Sequence, residues 1–281
     1  MKKKLLVQPF LKWAGGKRQL LSELRKYIPI YDTYYEPFTG GGALLFDIQP
    51  RNAVINDINY QLYNCYNVIK NSVDELIEDL KKYNNNEEFY YLIRDLDRQE
   101  GYREYTSVQM ASRIIYLNKT CYNGLFRVNS QGQFNVPFGK YKNPKIIDEP
   151  VLIAVNNYLT SNNVKILNED FEQCVQTANK GDFIYFDPPY DPISDTSSFT
   201  GYSINGFGKA EQDRLKNVFV TLDKKGCKVL LSNSNTDFIK SLYKDYNIVT
   251  VSANRNINSV GTGRGKIDEV LVMNYDKTNK K

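Results

Sequence analysis

A short apolar stretch that ends abruptly in a rigid acidic turn constrains this chain more than any other part of its sequence. Residues Phe183 to Phe186 are aromatic or β-branched, which predicts a buried strand. Asp187 follows the strand, and Pro188 and Pro189 stop it and stiffen the backbone. Because ligands of open α/β sheets bind beyond the carboxyl ends of strands, we expect this turn and Tyr190 to lie at a binding site.

The acid, the proline carbonyl and the ring of this turn suit an amino group attached to a planar heterocycle. The lone pair of such an amine is delocalised into the ring, so the amine is a poor nucleophile. Asp187 can accept a hydrogen bond from one N–H, the Pro188 carbonyl can accept the other, and Tyr190 can stack on the ring. These contacts would free the lone pair. An Asp-Pro-Pro turn followed by a chance tyrosine is the structural alternative.

A second motif has the pattern of a strand, a glycine turn and a helix, at Tyr34 to Phe46. It departs from the G-x-G-x-x-G template, because Leu45 stands where the last glycine belongs. Three consecutive glycines let the backbone close on a ligand that carries no pyrophosphate. The segment Ala53 to Asn59 predicts a second strand that ends in an acid, Asp57, which is suited to ribose hydroxyls. A helix cap is the alternative role for Asp57.

Helical spacing of apolar residues dominates the next part of the chain. The predicted helices are Leu62 to Ile69, Val73 to Tyr83, Glu88 to Leu96 and Val108 to Leu117. Consecutive helices inside an α/β chain predict an inserted lobe. We place this insert at 61–159, between two parts of a catalytic domain at 1–60 and 160–281.

A basic hairpin is predicted near the end of this insert. Residues Phe126 to Asn129 and Gln133 to Val136 alternate in polarity about a Ser-Gln-Gly turn. Arg127, Lys140 and Lys142 interleave with aromatic residues. Such a surface suits DNA, with lysine for phosphates, arginine for guanine and asparagine for adenine. A structural hairpin with a solvated basic face is the alternative.

The remaining pattern predicts a return to α/β structure. The predicted elements are helices at Gln19 to Tyr27 and Lys209 to Lys224, strands at Val164 to Leu167, Lys228 to Ser232 and Glu269 to Tyr275, and loops at 191–208 and 252–266. The first of these loops is long enough to act as a mobile lid.

Composition excludes several classes of site. The chain of 281 residues contains no histidine, which rules out histidine bases and histidine-built zinc sites. Its four cysteines form no Cys-x-x-Cys pair, so neither a zinc knuckle nor a redox pair is indicated. The net charge of +5 is consistent with a polyanionic partner. No apolar run approaches the roughly 20 residues of a membrane helix, and we expect a reduced, cytoplasmic protein.

The order of these motifs resembles the alpha class of DNA adenine-N6 methyltransferases, the Dam family. Asp-Pro-Pro-Tyr is similar to motif IV of that class, Phe-x-Gly-x-Gly to motif I, and Pro9 to Arg18 to motif X. The segments Tyr-Asn-Gly-Leu-Phe-Arg-Val-Asn and Phe-Asn-Val-Pro-Phe-Gly also match. The resemblance runs from about Pro9 to Tyr275 and is closest to GATC-specific modification methylases of type II restriction systems.

The resemblance implies a Rossmann-like S-adenosylmethionine-dependent methyltransferase sheet with an inserted helical DNA-recognition domain. It implies methyl transfer to a flipped adenine, with GATC as target, S-adenosylhomocysteine as product and no metal. The implied catalytic residues are Asp187, Pro188, Pro189 and Tyr190. The implied cofactor contacts are Trp13, Ala14, Gly15, Lys17, Glu36, Phe38, Gly40, Gly42, Asp57, Asp170, Phe171 and Asp187. The implied DNA contacts are Lys12, Tyr122, Asn123, Leu125, Arg127, Asn135, Pro137, Tyr141 and Lys142.

The expected partner is double-stranded DNA, in a prokaryotic or phage setting, with the enzyme a monomer or weak dimer. A cognate restriction endonuclease acting on the same site would need no direct contact with it. The alternatives are a methyltransferase for RNA adenine or a protein amide, and a non-catalytic DNA-binding relative. The basic hairpin favours duplex nucleic acid, and the intact Asp187 and Gly40 to Gly42 argue against a non-catalytic relative.

Overall fold

The computed structural model describes residues 5–13, 15, 17–192, 206–254 and 266–276. Ala14, most of the predicted loop 191–208 and most of the loop 252–266 lie outside these residues. The strands are β1 (Tyr34–Glu36), β2 (Asn52–Asn56), β3 (Asn163–Leu167), β4 (Phe183–Phe186), β5 (Lys228–Ser234), β6 (Asn247–Asn254) and β7 (Lys266–Met273). The described residues form a seven-stranded sheet in the order β3-β2-β1-β4-β5-β7-β6. This mainly parallel sheet confirms the predicted α/β fold class.

The α-helices are α1 (Leu21–Leu24), α2 (Ala43–Ile48), α3 (Tyr60–Asn71), α4 (Val73–Leu80), α5 (Glu87–Arg94), α6 (Ser107–Thr120), α7 (Glu149–Ser161), α8 (Phe171–Cys174), α9 (Lys209–Lys224) and α10 (Asp237–Leu242). Short 3-10 helices lie at Lys17–Gln19, Asp95–Arg98, Glu100–Glu104 and Tyr122–Gly124. Within the described ranges, no helix is long and apolar enough to cross a membrane.

The chain divides into two compact units. We call Met1–Gly16, Thr39–Arg51 and Asn56–Asn168 the helical unit, and Lys17–Phe38, Asn52–Ile55 and Glu169–Lys281 the sheet unit. The recognition insert at 61–159 stays a prediction.

Strand β4 is the centre of the sheet unit. Its four residues are all buried, as expected for a strand that is covered on both faces of a parallel sheet. It pairs in parallel with β1 on one side and with β5 on the other. The chain continues from β1 to β2 on one side and from β4 to β5 on the other, so the strand order reverses between β1 and β4. Such a reversal is the usual ligand-binding position of open α/β sheets, and Asp187 follows β4 there.

A buried arginine holds together the core of the helical unit. Helix α6 begins with a capping box between Thr106 and Gln109 and carries Arg113, which is almost fully buried. The Arg113 guanidinium pairs with Asp97 at 2.8 Å and donates to the carbonyl of Ile93. Asp97 also accepts a hydrogen bond from the Phe134 backbone N–H at 2.8 Å. The ion pair therefore ties the segment predicted as a hairpin to the helices.

The hairpin prediction is only partly confirmed. Residues Val128 and Phe134 form an isolated antiparallel bridge, but regular strands do not form on either side. The side-chain oxygen of Asn129 accepts hydrogen bonds from the backbone N–H groups of Gln131 and Gln133, both at 3.0 Å. Because the Asn129 side chain takes the Gln133 donor, the backbone ladder stops on the turn side of this bridge.

The first predicted helix, Gln19 to Tyr27, is wrong in length. The structure has a 3-10 turn and then α1, which ends at Leu24. The N–H groups of Lys26 and Tyr27 donate to the carbonyls of Glu23 and Leu24, three residues earlier, so the chain after α1 forms tighter 3-10-type turns. Helices α7 and α10 and strand β6 were not predicted, and the start of the predicted loop 252–266 belongs to β6.

Candidate active site

Asp187 lies directly after β4 and is held by two partners. Its Oδ1 atom is 3.0 Å from Lys17 Nζ and accepts a hydrogen bond from Ser232 Oγ on β5 at 2.9 Å. The Lys17 side chain is 7% exposed and that of Asp187 is 17% exposed. Burial raises the pKa of the Asp187 carboxyl, and the positive charge of Lys17 opposes that rise.

Both partners of Asp187 contact the same oxygen. In the described part of the chain, no residue forms a hydrogen bond or ion pair with Oδ2. Nor does any described residue donate a hydrogen bond to the Pro188 carbonyl. Two oxygen acceptors at the end of β4 therefore have no hydrogen-bond partner among the described residues.

Tyr190 is fixed by a carboxylate that sequence analysis missed. Its phenol donates a hydrogen bond to Glu269 Oε2 at 2.7 Å, and Lys17 Nζ lies 4.2 Å from its ring centroid. Glu269 Oε2 is also 3.7 Å from Lys17 Nζ. Burial and the nearby charges of Asp187 and Glu269 raise the Tyr190 pKa, so the phenol stays a neutral donor. The only sequence signal for Glu269 is a charged residue just before the apolar run of β7.

The proline turn is braced by two buried amides that sequence analysis also missed. Gln212 Nε2 on α9 donates to the Pro189 carbonyl at 3.0 Å. Asn233 Oδ1 on β5 accepts from the Asp191 backbone N–H at 3.0 Å, and its Nδ2 donates to Gln212 Oε1 at 3.1 Å. Both side chains are fully buried. These bonds fix the direction of the backbone on either side of Tyr190.

Several residues predicted to contact a cofactor come together near the ends of β1 and β4. Glu36 is buried at the end of β1, and the Phe38 ring lies 5.4 Å from the Phe171 ring. Asp170 caps α8 by accepting a hydrogen bond from the Glu172 N–H, and it also pairs with Arg214. The Arg214 guanidinium carbon lies 4.3 Å from the Phe171 ring centroid.

In the helical unit, Asp57 holds the glycine turn. Its Oδ2 accepts from the Gly40 N–H at 3.0 Å and its Oδ1 from the Asn59 N–H at 2.9 Å. Asn59, not Asp57, caps α3, so the helix-cap alternative fails for Asp57. Burial raises the pKa of Asp57 to about 6, although both backbone bonds oppose that shift. Gly42 has φ +70, and a Cβ there would lie 2.6 Å from the Tyr66 phenol, so only glycine fits.

The residues predicted to contact DNA all belong to the helical unit, and none of them is buried. Arg127 donates to the side-chain and backbone oxygens of Asn135, at 2.7 and 3.1 Å. Lys12 Nζ lies 5.8 Å from the Tyr141 ring centroid. Trp13 stacks on Phe126 with 4.9 Å between ring centroids, so Trp13 contacts this surface as well as the glycine turn. Gly15 is exposed.

Comparison with known proteins gives a consistent result. Residues 13–257 match the family model for D12 class N6 adenine-specific DNA methyltransferases. The chain is 46% identical to the type II methyltransferase M1.LlaDCHI of Lactococcus lactis subsp. cremoris, over 98% of each chain. It is 46% identical to the type II methyltransferase M.MjaIII of Methanocaldococcus jannaschii, over 96% of this chain and 99% of the relative. It is 35% identical to the DNA adenine methylase of Serratia marcescens, over 94% and 97%.

The family match covers most of the chain, including the glycine turn, the acidic turn after β4 and the predicted DNA contacts at 122–142. The relatives are covered over nearly their whole length. The chain therefore belongs to the D12 class of N6 adenine-specific DNA methyltransferases and is an adenine-specific DNA methyltransferase.

Proposed function

We propose that the enzyme methylates the N6 amine of the adenine in duplex GATC, with S-adenosylmethionine as methyl donor. The observation that carries the proposal is the pair of acceptors after β4, Asp187 Oδ2 and the Pro188 carbonyl, beside the ring of Tyr190. A base inside a duplex cannot reach these groups, so the target adenine must leave the stack, which costs a few kcal/mol.

The two acceptors would each take one N6–H, and Tyr190 would stack on the adenine. Polarised in this way, the nitrogen recovers its lone pair and forms the new N–C bond. S-adenosylmethionine, when bound, supplies an electrophilic methyl group whose C–S electrons stay with sulfur, leaving S-adenosylhomocysteine. Asp187 Oδ2 is the natural acceptor for the proton that the methylated nitrogen loses. Positioning of two bound reactants can account for roughly 7–11 kcal/mol of the barrier.

The residues present fit an adenosine-containing cofactor. The two oxygens of a carboxylate offer about four acceptor positions, and Asp57 uses two of them for backbone N–H groups. The others suit the ribose hydroxyls. Phe38 and Phe171, in the sheet unit, offer aromatic surfaces for the adenine ring. The family resemblance assigns Lys17 and Trp13 to the methionine part.

Affinity for S-adenosylmethionine is expected to fall as the pH drops through about 6, because the raised pKa of Asp57 then leaves the carboxyl protonated. Asp57→Asn should weaken cofactor binding by roughly 10–100-fold, which corresponds to losing a hydrogen bond to a charged group. The variant should also bind with little dependence on pH. Calorimetric titration between pH 5 and 8 measures both effects. Asp74→Asn, on the exposed face of α4, is the control. An unchanged pH dependence in Asp57→Asn would contradict the ribose role.

GATC is proposed from the family resemblance together with the chemistry of the predicted DNA contacts. Arg127 can bond a guanine edge and Asn135 an adenine edge once their mutual hydrogen bonds are exchanged for DNA. Lys12 and Lys142 suit phosphates. The type II names of the relatives support a restriction endonuclease acting on the same site.

The test is sequencing of N6-methyladenine in unmethylated genomic DNA after incubation with the enzyme and S-adenosylmethionine. We expect methylation at GATC in both strands. Methylation at another sequence would overturn the GATC assignment alone. Absence of methylated adenine in DNA, with transfer to RNA in parallel, would overturn the duplex-DNA proposal.

A further inference from the structure

Asn118 has a buried side-chain amide whose hydrogen-bond partners lie outside its own helix. It lies near the end of α6 and is 3% exposed. Its Oδ1 accepts from the Lys12 backbone N–H at 2.9 Å. Its Nδ2 donates to the Lys12 carbonyl at 2.8 Å and to the Gly124 carbonyl at 3.0 Å. Three of the four hydrogen-bonding positions of the side chain are therefore used to join two other segments.

The two joined segments both carry residues assigned to DNA. Lys12 lies 106 residues before Asn118 in the chain, whereas Gly124 immediately precedes Leu125 and is close to Arg127. The segments are also in direct contact, since a Cβ at Gly124 would lie 2.5 Å from Lys12 Cδ and 3.0 Å from Lys12 Cβ. Gly124 has φ +65, so the close approach and the backbone conformation both require glycine.

Further contacts support the same arrangement. Trp13, the residue after Lys12, stacks on Phe126, the residue after Leu125. The Lys12 ammonium lies over the ring of Tyr141, whose carbonyl accepts a hydrogen bond from Asn85 Nδ2 at 2.8 Å. The Lys12 segment and the 124–127 segment thus touch at two places, Lys12 against Gly124 and Trp13 against Phe126. Among these side chains, that of Asn118 bonds the backbone of both segments.

We propose that Asn118 is a positioning residue for sequence recognition, holding Lys12 and residues 124–127 in one register so that they read the target together. This inference rests on the proposed function. Asn118 is buried and acts through its neighbours, without contact to DNA. Direct readout depends on donors placed to match base edges. If Lys12 and residues 124–127 move relative to each other, the preference for the target over other sites should fall more than the rate of methyl transfer.

Asn118→Leu is the first test, because leucine has a similar size and removes all three hydrogen bonds. The measured quantity is the ratio of kcat/KM on a GATC duplex to kcat/KM on duplexes with one of these base pairs replaced. We expect this ratio to fall about tenfold, within the range for loss of one base-specific contact. The ratio does not depend on the fraction of folded enzyme, so general destabilisation leaves it unchanged.

Asn64→Leu is the matched control. Asn64 is 5% exposed, lies on α3 in the same unit and donates to the Ser107 carbonyl at 2.8 Å. Its loss should lower stability without moving Lys12 or residues 124–127, so the ratio should stay at the wild-type value. A proportional fall of both kcat/KM values in Asn118→Leu, with an unchanged ratio, would overturn the proposal.

Asn118→Asp is the second variant, for use also if the leucine variant does not fold. It keeps the acceptor for the Lys12 N–H and loses the two donors to the Lys12 and Gly124 carbonyls. A reduced ratio supports the positioning role, and a wild-type ratio counts against it. Failure of the proposed function looks different, because wild-type enzyme would then methylate no duplex or prefer a site other than GATC.

Discussion

Asp187→Ala is expected to lower kcat for DNA methylation by at least about 10²-fold, on the scale of losing one preorganised polar contact to the reacting group. The substitution removes the acceptor that, in the proposed mechanism, polarises the adenine amine. The fold should survive, because the buried Lys17 ammonium keeps Glu269 at 3.7 Å as a counterion. Single-turnover kinetics with saturating cofactor measure the chemical step, and circular dichroism checks the fold.

Asp182→Ala provides a control at the residue that precedes the same strand. Asp182 is a buried aspartate at the opposite end of β4, where it accepts from the Thr33 and Asn179 N–H groups at 3.1 and 2.9 Å. Its loss should reduce stability and leave the single-turnover rate of the folded enzyme close to wild type. Wild-type transfer by Asp187→Ala, or an equal loss of rate in both variants, would show that the carboxylate is not part of the chemistry.

Lys17→Met is expected to destabilise the protein by about 3–5 kcal/mol at neutral pH, the usual cost of removing one partner from a buried ion pair. The variant leaves Asp187 beside Glu269 without the intervening cation. The pKa of Asp187, already raised by burial, should rise further. The proposed mechanism uses the ionised carboxylate, so the acidic limb of the pH–rate profile should move to higher pH.

The sign of the stability change follows from the same shift. A carboxyl whose pKa is raised in the folded state binds its proton more tightly there than in the unfolded chain. The free energy of unfolding is therefore higher at low pH and falls as the pH rises through the folded pKa. Urea unfolding from pH 5 to 8 should therefore show a deficit in Lys17→Met that grows with pH. Lys26→Met removes an exposed pair with Glu23 and should have little effect at any pH. A deficit independent of pH would contradict the electrostatic role of Lys17.

The short buried elements were predictable from local pattern. Strand β4 at Phe183–Phe186 and helix α9 were predicted with their bounds, because a continuous apolar run or a helical periodicity specifies the burial of each element. Strand β1 was predicted without bounds, as the start of the strand, glycine turn and helix at Tyr34 to Phe46. The hairpin prediction was confirmed only at the Val128–Phe134 bridge, and on the turn side the Asn129 side chain competes with the strand ladder for a backbone donor. That competition is not visible in alternation of polarity.

The sequence alone determined which residues follow the strands, namely Asp187, Asp57 and the glycines of the turn, because strand ends and turns depend on neighbouring residues. Only the tertiary structure decided what holds them. Glu269 reaches Tyr190 across 79 positions of sequence, and Asn118 reaches Lys12 across 106. A buried polar group must find a partner, but nothing in its own sequence neighbourhood says which distant backbone or side chain will supply it. The packing of α6 and β7 makes that choice.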